Sequence, residues 1–378
     1  EAEYVFLPSE RIQDFPYNQV DVEVWDMIPS LKKVEPSEGV TVVEAMPQVQ
    51  FVDSDKAGWY RIILDGECKV EAADEDGAYY AKVTLDNLKR NAGGNQLPNL
   101  VIEDWPDFGY RGFMLDISRN FTTKDNILKF IDLLAHYKAS VFHLHFGDDE
   151  GWRLEIEKFP ELTSFGAYHA FPSKDENGEY IETEGLIPSY NGGADPKDMT
   201  SSANGHLSKE DYVEILKYAW EHRIKVIPEF DTPGHSRAAI KAMEAYARRT
   251  GDESYLLSDP EDRSEYMSVQ YYRDNALNVA LPSTYRFIET VFDEIIAYHK
   301  EAGVPLPAIH IGGDEVPGGA WTGSPACQKI LQERGWDNIE LLKSYYIENV
   351  LDIAESRGVK LSGWQELVMD LEDHVYER

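Results

Sequence analysis

From residue 108 onward the chain repeats one rhythm, and that rhythm restricts the fold more than any other feature. Short apolar runs alternate with longer amphipathic ones. "RGFMLDISR" (111–119), "ASVFHLHFGDD" (139–149), "IKVIPEFDTPGH" (224–235), "PAIHIGGDE" (307–315) and "VKLSGWQE" (359–366) read as strands. Between them, "TTKDNILKFIDLLAHYK" (122–138) places Ile127, Ile131 and Leu134 on one helical face, with Thr122 or Thr123 as cap. "SKEDYVEILKYAWEHR" (208–223) opens with a capping-box pattern, Ser208 to Asp211. "STYRFIETVFDEIIAYHK" (283–300) is a third helix, and "NIELLKSYYIENVLDIAESRG" (338–358) a fourth, closed by Gly358. Near-continuous apolar strands alternating with helices predict a parallel sheet covered by helices.

The polar residues select among such sheets. Asp116 and Arg119, Asp148 and Asp149, Glu229 with Asp231 and His235, Asp314 and Glu315, and Glu366 all fall at or just past C-terminal strand ends. In a (β/α)8 barrel those ends converge on one face, where the active site lies. An open dinucleotide-binding sheet would need G-x-G-x-x-G after a strand, and none follows any strand here. The expected fold is therefore α/β, a TIM-type (β/α)8 barrel occupying 108–378, with about five of its eight strands in this chain.

Upstream, residues 1–25 are aromatic and acidic without a period and read as the tail of something preceding. Residues 26–107 read as a small α+β domain. "GWYRIILDG" and "CKVEAA" alternate like half-buried strands, "DGAYYAKVTLDNLKRN" reads as a helix, and "LPNLVIEDWPDFGY" as a proline-punctuated link. Two long polar inserts, 170–207 and 250–282, interrupt the barrel rhythm and either shape a groove or form solvated excursions. Both termini are abrupt, which reads as part of a longer polypeptide.

The chain carries 69 acidic against 36 basic residues, a net charge of −33. Such a surface repels nucleic acid and anionic lipid, so neither is expected as a partner. No apolar run is long enough for membrane insertion. Cys68 and Cys327 form no metal or disulfide pattern and are expected as unpaired buried thiols.

Asp314 and Glu315 stand side by side at a strand end, behind Gly312 and Gly313. In extended backbone they would point to opposite sides of one bound group, and the glycines would let substrate approach. One carboxylate disfavours ionisation of the other, which suits general acid catalysis. His143 and His145 are two apart in a strand. With Asp148, His235 and Asp314 they also sketch a metal-dependent hydrolase, which a chelator would test. His235, after a Thr-Pro-Gly turn, could tune neighbouring carboxylates. Trp364 could form a stacking wall for a sugar.

"YRGFMLDISRNF", "HLHFGDDEGWRLEI", "KVIPEFDTPGHSRAA", "HIGGDEV" and "SGWQEL" occur in the order and rough spacing of glycoside hydrolase family 20, the β-N-acetylhexosaminidases. The resemblance covers most of the chain, and residues 26–105 resemble the family's small domain. It implies a retaining exo-glycosidase acting on terminal β-linked GlcNAc or GalNAc, without cofactor or metal. The substrate's 2-acetamido oxygen would attack through an oxazolinium intermediate. Glu315 would be the acid/base and Asp314 would hold the acetamido N–H. Arg119 would bind outer sugar hydroxyls, Asp148 and His235 would form a relay behind the acid, and Trp364 would wall the acetamido pocket. His145 matches a structural histidine. The implied partner is a glycan or chitooligosaccharide, the implied location secreted or periplasmic, and a homo-oligomer is compatible with it. Later barrel strands of the family supply further tryptophans, a tyrosine and acidic sugar ligands, and no residue here is assigned to them. An alternative is therefore an incompetent fragment or sugar-binding remnant, with an exposed sheet edge after the fifth strand.

Overall fold

The computed structural model describes residues 22–181, 183–188 and 195–367. The chain divides into two compact units, Glu1–Asp107 and Phe108–Arg378.

In the first unit the strands β1 (Lys33–Val42), β2 (Val49–Phe51), β3 (Tyr60–Leu64) and β4 (Cys68–Ala72) precede helix α1 (Glu75–Ala92) and strand β5 (Gln96–Asp104). The sheet order is β1-β5-β3-β4-β2. Period-two patterning is plain in β3, where Tyr60, Ile62 and Leu64 are buried and Arg61 and Ile63 half-buried. Tyr80, Ala81, Leu85 and Leu88 of α1 join them in one core, each large side chain contributing about 1.5–3 kcal/mol by leaving water. Asp74 caps α1 by accepting from the Gly77 N–H, and Gly93 ends it in the left-handed region.

The stretch from Leu97 expected to be a link is instead the nine-residue strand β5, paired on both sides. Leu97, Leu100 and Ile102 turn into the core. Pro98 is tolerated because it falls where the β1–β5 register shifts, between Pro36 and Val40. Cys68 and Cys327 are both free thiols, but only Cys327 is buried; Cys68 is half-buried.

In the second unit β6 (Gly112–Asp116), helix α2 (Lys124–His136), β7 (Val141–Asp148) and the short β8 (Gly151–Trp152) come first. The one-turn α3 (Glu161–Ser164), α4 (Lys209–Glu221), β9 (Lys225–Phe230), α5 (Arg237–Thr250) and α6 (Pro282–Ala302) follow. Last are β10 (Ile309–His310), α7 (Pro325–Arg334), α8 (Leu341–Ser356) and β11 (Leu361–Ser362). Strands β6, β7, β9, β10 and β11 lie parallel in that order, and β8 folds back antiparallel on β7. All eight residues of β7 are buried, which is why its sequence runs apolar without alternation. Among the described residues the sheet ends at β6 and β11 without closing.

Ile127, Ile131 and Leu134 are buried on α2. Thr123 occupies its N-cap without a side-chain bond, while Thr122 Oγ1 accepts from Asn126. The capping box of α4 is formed by Ser208 and Asp211. The fourth and fifth strands are shorter than their sequences suggest, two residues each. After His310 the backbone leaves the extended region at Gly312 (φ 68°) and Gly313 (φ 98°), so the ladder stops. Helices α5 and α7 were not anticipated. The buried face of α5 joins Ala238, Ala239 and Ala242 to Ile240, Met243 and Tyr246. No helix among the described residues is long and apolar enough to cross a membrane.

Candidate active site

Asp314 and Glu315 lie beyond the end of β10 in irregular backbone, not in the extended geometry expected for them. Glu315 adopts φ 46°, and its N–H donates to Glu366 Oε2 at 3.1 Å. The glycines before it make room for neighbouring side chains. A Cβ on Gly312 would stand 1.9 Å from Asp231 Oδ1, and one on Gly313 2.1 Å from Leu367 Cδ1. His235, opposite Glu315, also has positive φ, 49°. Two facing non-glycine residues in this region carry strain of about 1–3 kcal/mol each, held by the surrounding contacts.

Those contacts converge on the Glu315 carboxylate. His235 Nε2 lies 3.3 Å from its Oε2, and Gln270 Nε2 donates to the same oxygen at 3.0 Å. The Glu315 side chain keeps 40% of its surface exposed, whereas the His235 ring is buried. His235 Nδ1 in turn faces Asp148 Oδ1 at 3.2 Å and Asp149 Oδ2 at 3.4 Å. Burial alone would lower the His235 pKa, but these two carboxylates overcome it and push it up to about 12. Asp314 is raised by burial, with His235 opposing. Its Oδ1 is buried and accepts no hydrogen bond among the described residues.

Behind this row lies a second one. Asp148 receives Arg119 Nη2 at 2.8 Å and His145 Nε2 at 3.0 Å. Burial would raise Asp148, but His145 and His235 hold it well below the usual carboxylate range. Arg119 also pairs with Asp116 at 3.0 Å. His145 Nδ1 and His143 Nε2 each reach Glu229 Oε2 at 2.8 Å, and His310 Nδ1 reaches Glu229 Oε1 at 2.7 Å. Glu229 is fully buried, and the three histidines hold its carboxyl well below the usual range against the effect of burial. The Trp364 ring packs on His310 at 4.9 Å and on His143 at 5.9 Å between centroids. The structure thus joins Asp314, Glu315, His235, Asp148 and Arg119 in one cluster, with Trp364 over its histidine floor.

The second insert, 250–282, supplies partners that sequence reasoning missed. Besides Gln270, Tyr272 donates to Glu150 Oε1 at 2.5 Å, and Asn275 donates to Asp149 Oδ2 at 2.9 Å. The N-terminal amide of α5, on Arg237, donates to Asp149 Oδ1 at 3.0 Å. Burial pushes Glu150 up to about 7. These residues stand in an irregular segment, where no period marks which side chain turns inward. The first insert instead faces α5 across a cleft of about 710 Å³ that includes Phe165, Tyr180, Arg237 and Arg248 but neither Asp314 nor Glu315.

Three buried groups bring histidine and carboxylate atoms within 4.8 Å of one another: His143, Glu229 and His310; His145, Asp148 and Asp231; Asp148, Asp149 and His235. In the first the N···O separations are 2.7–2.8 Å, and His310 Nδ1 also accepts the Gly312 N–H at 3.1 Å. Two tetrahedral ligands of one zinc ion stand roughly 3.3 Å apart. The first group is thus packed more tightly than the ligands of one zinc ion would be, whereas in the third His235 Nδ1 stands 3.2 Å from Asp148 Oδ1 and 3.4 Å from Asp149 Oδ2.

Adjacent carboxylates backed by buried histidines on a parallel α/β sheet define the site. The sequence places it further. Residues 108–377 match glycosyl hydrolase family 20, catalytic domain, and 28–105 match domain 2 of the same family. The chain belongs to glycosyl hydrolase family 20. It is 38% identical to a β-hexosaminidase of Vibrio vulnificus over 323 residues, covering 83% of this chain and 37% of the relative. It is 37% identical to an N,N'-diacetylchitobiase of Vibrio harveyi over 349 residues, covering 82% and 38%. The structure is similar to that of a Vibrio harveyi GH20 exo-β-N-acetylglucosaminidase in complex with N-acetylglucosamine. That match has a TM-score of 0.75 and 28% identity, covering 93% of this chain and 56% of the other. The chain spans less than half the length of these curated relatives.

Proposed function

We propose that the protein is a retaining, exo-acting β-N-acetylhexosaminidase that removes terminal β-linked N-acetylhexosamine, GlcNAc or GalNAc, from a glycan or chitooligosaccharide. The observation that carries this reading is the division of labour between adjacent carboxylates. Glu315 is exposed and backed by His235, so it can give a proton to a leaving glycosidic oxygen and later take one from water. Asp314 is half-buried with a buried, unengaged acceptor oxygen, Oδ1, so it can hold the acetamido N–H while the acetamido oxygen attacks the anomeric carbon. The substrate supplies the nucleophile, and an oxazolinium ion follows. Arg119, fixed by Asp116 and Asp148, is placed for sugar hydroxyls, and Trp364 for the acetamido methyl.

The five parallel strands fit a (β/α)8 barrel whose remaining strands pair with the edges at β6 and β11. A secreted or periplasmic location suits a glycan substrate. The test is hydrolysis of an aryl β-N-acetylglucosaminide with and without the oxazolinium mimic thiazoline. Thiazoline-sensitive turnover is expected, and Glu315→Gln should lower kcat on the order of 10²–10⁴-fold. Near-normal turnover in Glu315→Gln would remove Glu315 from the role of acid.

A further inference from the structure

The proposed reaction uses Glu315, His235 and Asp148, yet a second histidine and a second carboxylate continue the same line inward. Glu229 Oε2 is 2.8 Å from His145 Nδ1, and His145 Nε2 is 3.0 Å from Asp148 Oδ2. Asp148 Oδ1 is 3.2 Å from His235 Nδ1, and His235 Nε2 is 3.3 Å from Glu315 Oε2. Carboxylate and imidazole alternate over five groups. We propose that His145 is a positioning residue for the acid/base: held as an imidazolium between Glu229 and Asp148, it anchors Asp148 as the anion that orients His235 toward Glu315. This rests on the assignment of Glu315 as acid/base.

A neutral imidazole has one N–H and one lone pair. His145 has a carboxylate oxygen within 3.0 Å of each ring nitrogen, so a neutral ring would set a lone pair against an anion. The ring is 1% exposed, leaving no room for water to relieve that clash. One arrangement competes. Arg119 Nη1 lies 3.2 Å from His145 Nε2 and could donate to it. The other groups around the ring weigh against this. Glu229 and Asp231 face it from β9 and the loop beyond, Asp148 from the end of β7, and Asp116 is its register partner on β6. His143 and His310, from β7 and β10, are both turned to Glu229. Glu229 and Asp148, both held well below the usual carboxylate range, against one guanidinium favour the second proton. The strand period explains the construction, since His143 and His145 share one face of β7 and meet the same glutamate from neighbouring β9.

The consequence for catalysis is specific. With His145 charged, Asp148 remains an acceptor and keeps His235 donating toward Glu315. Without that charge, Asp148 takes up a proton at higher pH and releases His235.

The experiment uses the full chain labelled with ¹⁵N in histidine, with His145 assigned by correlation to its own backbone. Both ring nitrogens are expected to carry protons from about pH 5 to about pH 8. A single protonated nitrogen, the neutral form accepting from Arg119, would overturn the proposal. In parallel, His145→Gln should move the acid limb of the kcat/KM profile up by about one pH unit, roughly tenfold in rate on that side. A uniform loss with the limb unmoved would reduce His145 to a structural part and overturn the proposal. If His145→Gln does not fold, the nitrogen spectrum of the unmutated chain still decides. If that chain turns over no β-N-acetylhexosaminide, the functional reading falls, and the same spectrum independently tests the charge on His145.

Discussion

At the scale of the residue, the site works by assigning different environments to similar groups. Asp314 is half-buried, and its partial desolvation makes it hold its proton more tightly than usual, while Asp148 is buried but pinned as an anion by two histidines and an arginine. Replacing Asp314 by Asn should slow the first, glycosyl-transfer step, because the acetamido group loses its hold; an unchanged rate would count against substrate assistance. Glu150 offers a stability test. Its folded pKa, about 7, lies above the ordinary value of 4.5. The fold thus favours its proton, a contribution present below about pH 4.5 and lost as pH rises through about 7. Glu150→Gln should therefore be more stable than the parent above pH 7, on the order of 2 kcal/mol, with the gap closing toward pH 4. Denaturant titrations at both pH values would show it, and a pH-independent difference would refute it. Gly312→Ala should destabilise by more than about 1 kcal/mol, since its Cβ would overlap Asp231 Oδ1 and its φ is positive. Thermal unfolding with no loss would mean that Asp231 can step aside.

At the scale of the element, the parts that followed local chemistry were legible. The capping box of Ser208 and Asp211, the apolar face of α2 and the glycine beyond α8 depend on neighbours a few residues away. Ser208→Ala should cost about 1 kcal/mol, measured by denaturant unfolding, because the Asp211 N–H loses its acceptor. Other parts were less so. The β5 strand hid behind Pro98, whose penalty vanishes only because β1 shifts register beside it. The inserts had no period to follow, so Gln270 and Tyr272 could not be read as neighbours of Glu315 and Glu150. The α7 start was legible in principle, with Ser324 as cap and Pro325 in the first turn.

At the scale of the whole molecule, parallel strands bring β7, β9 and β10 side by side so that His145, Glu229 and His310 meet. Because the contacts to Glu229 are shorter than the spacing of two ligands on one zinc ion, activity should survive EDTA. Loss of turnover on chelation, restored by a divalent ion, would return the metal reading. A closed barrel would cover the β6 and β11 edges, and protection of their amides from hydrogen exchange in an active preparation would report that closure.

The sequence by itself determined the alternation of strand and helix, the positions of the polar residues at strand ends and the family, because each is written in local patterns of residue type. Only the tertiary structure decided which of those polar residues touch. The glycines before Asp314 turned out to make room for Asp231 and Leu367. His145 turned out to be shared between two carboxylates that stand three residues and more than eighty residues away from it in the chain. The physical reason is that hydrogen bonding and ion pairing act over about 3 Å, and which groups come that close is set by strand register and loop packing.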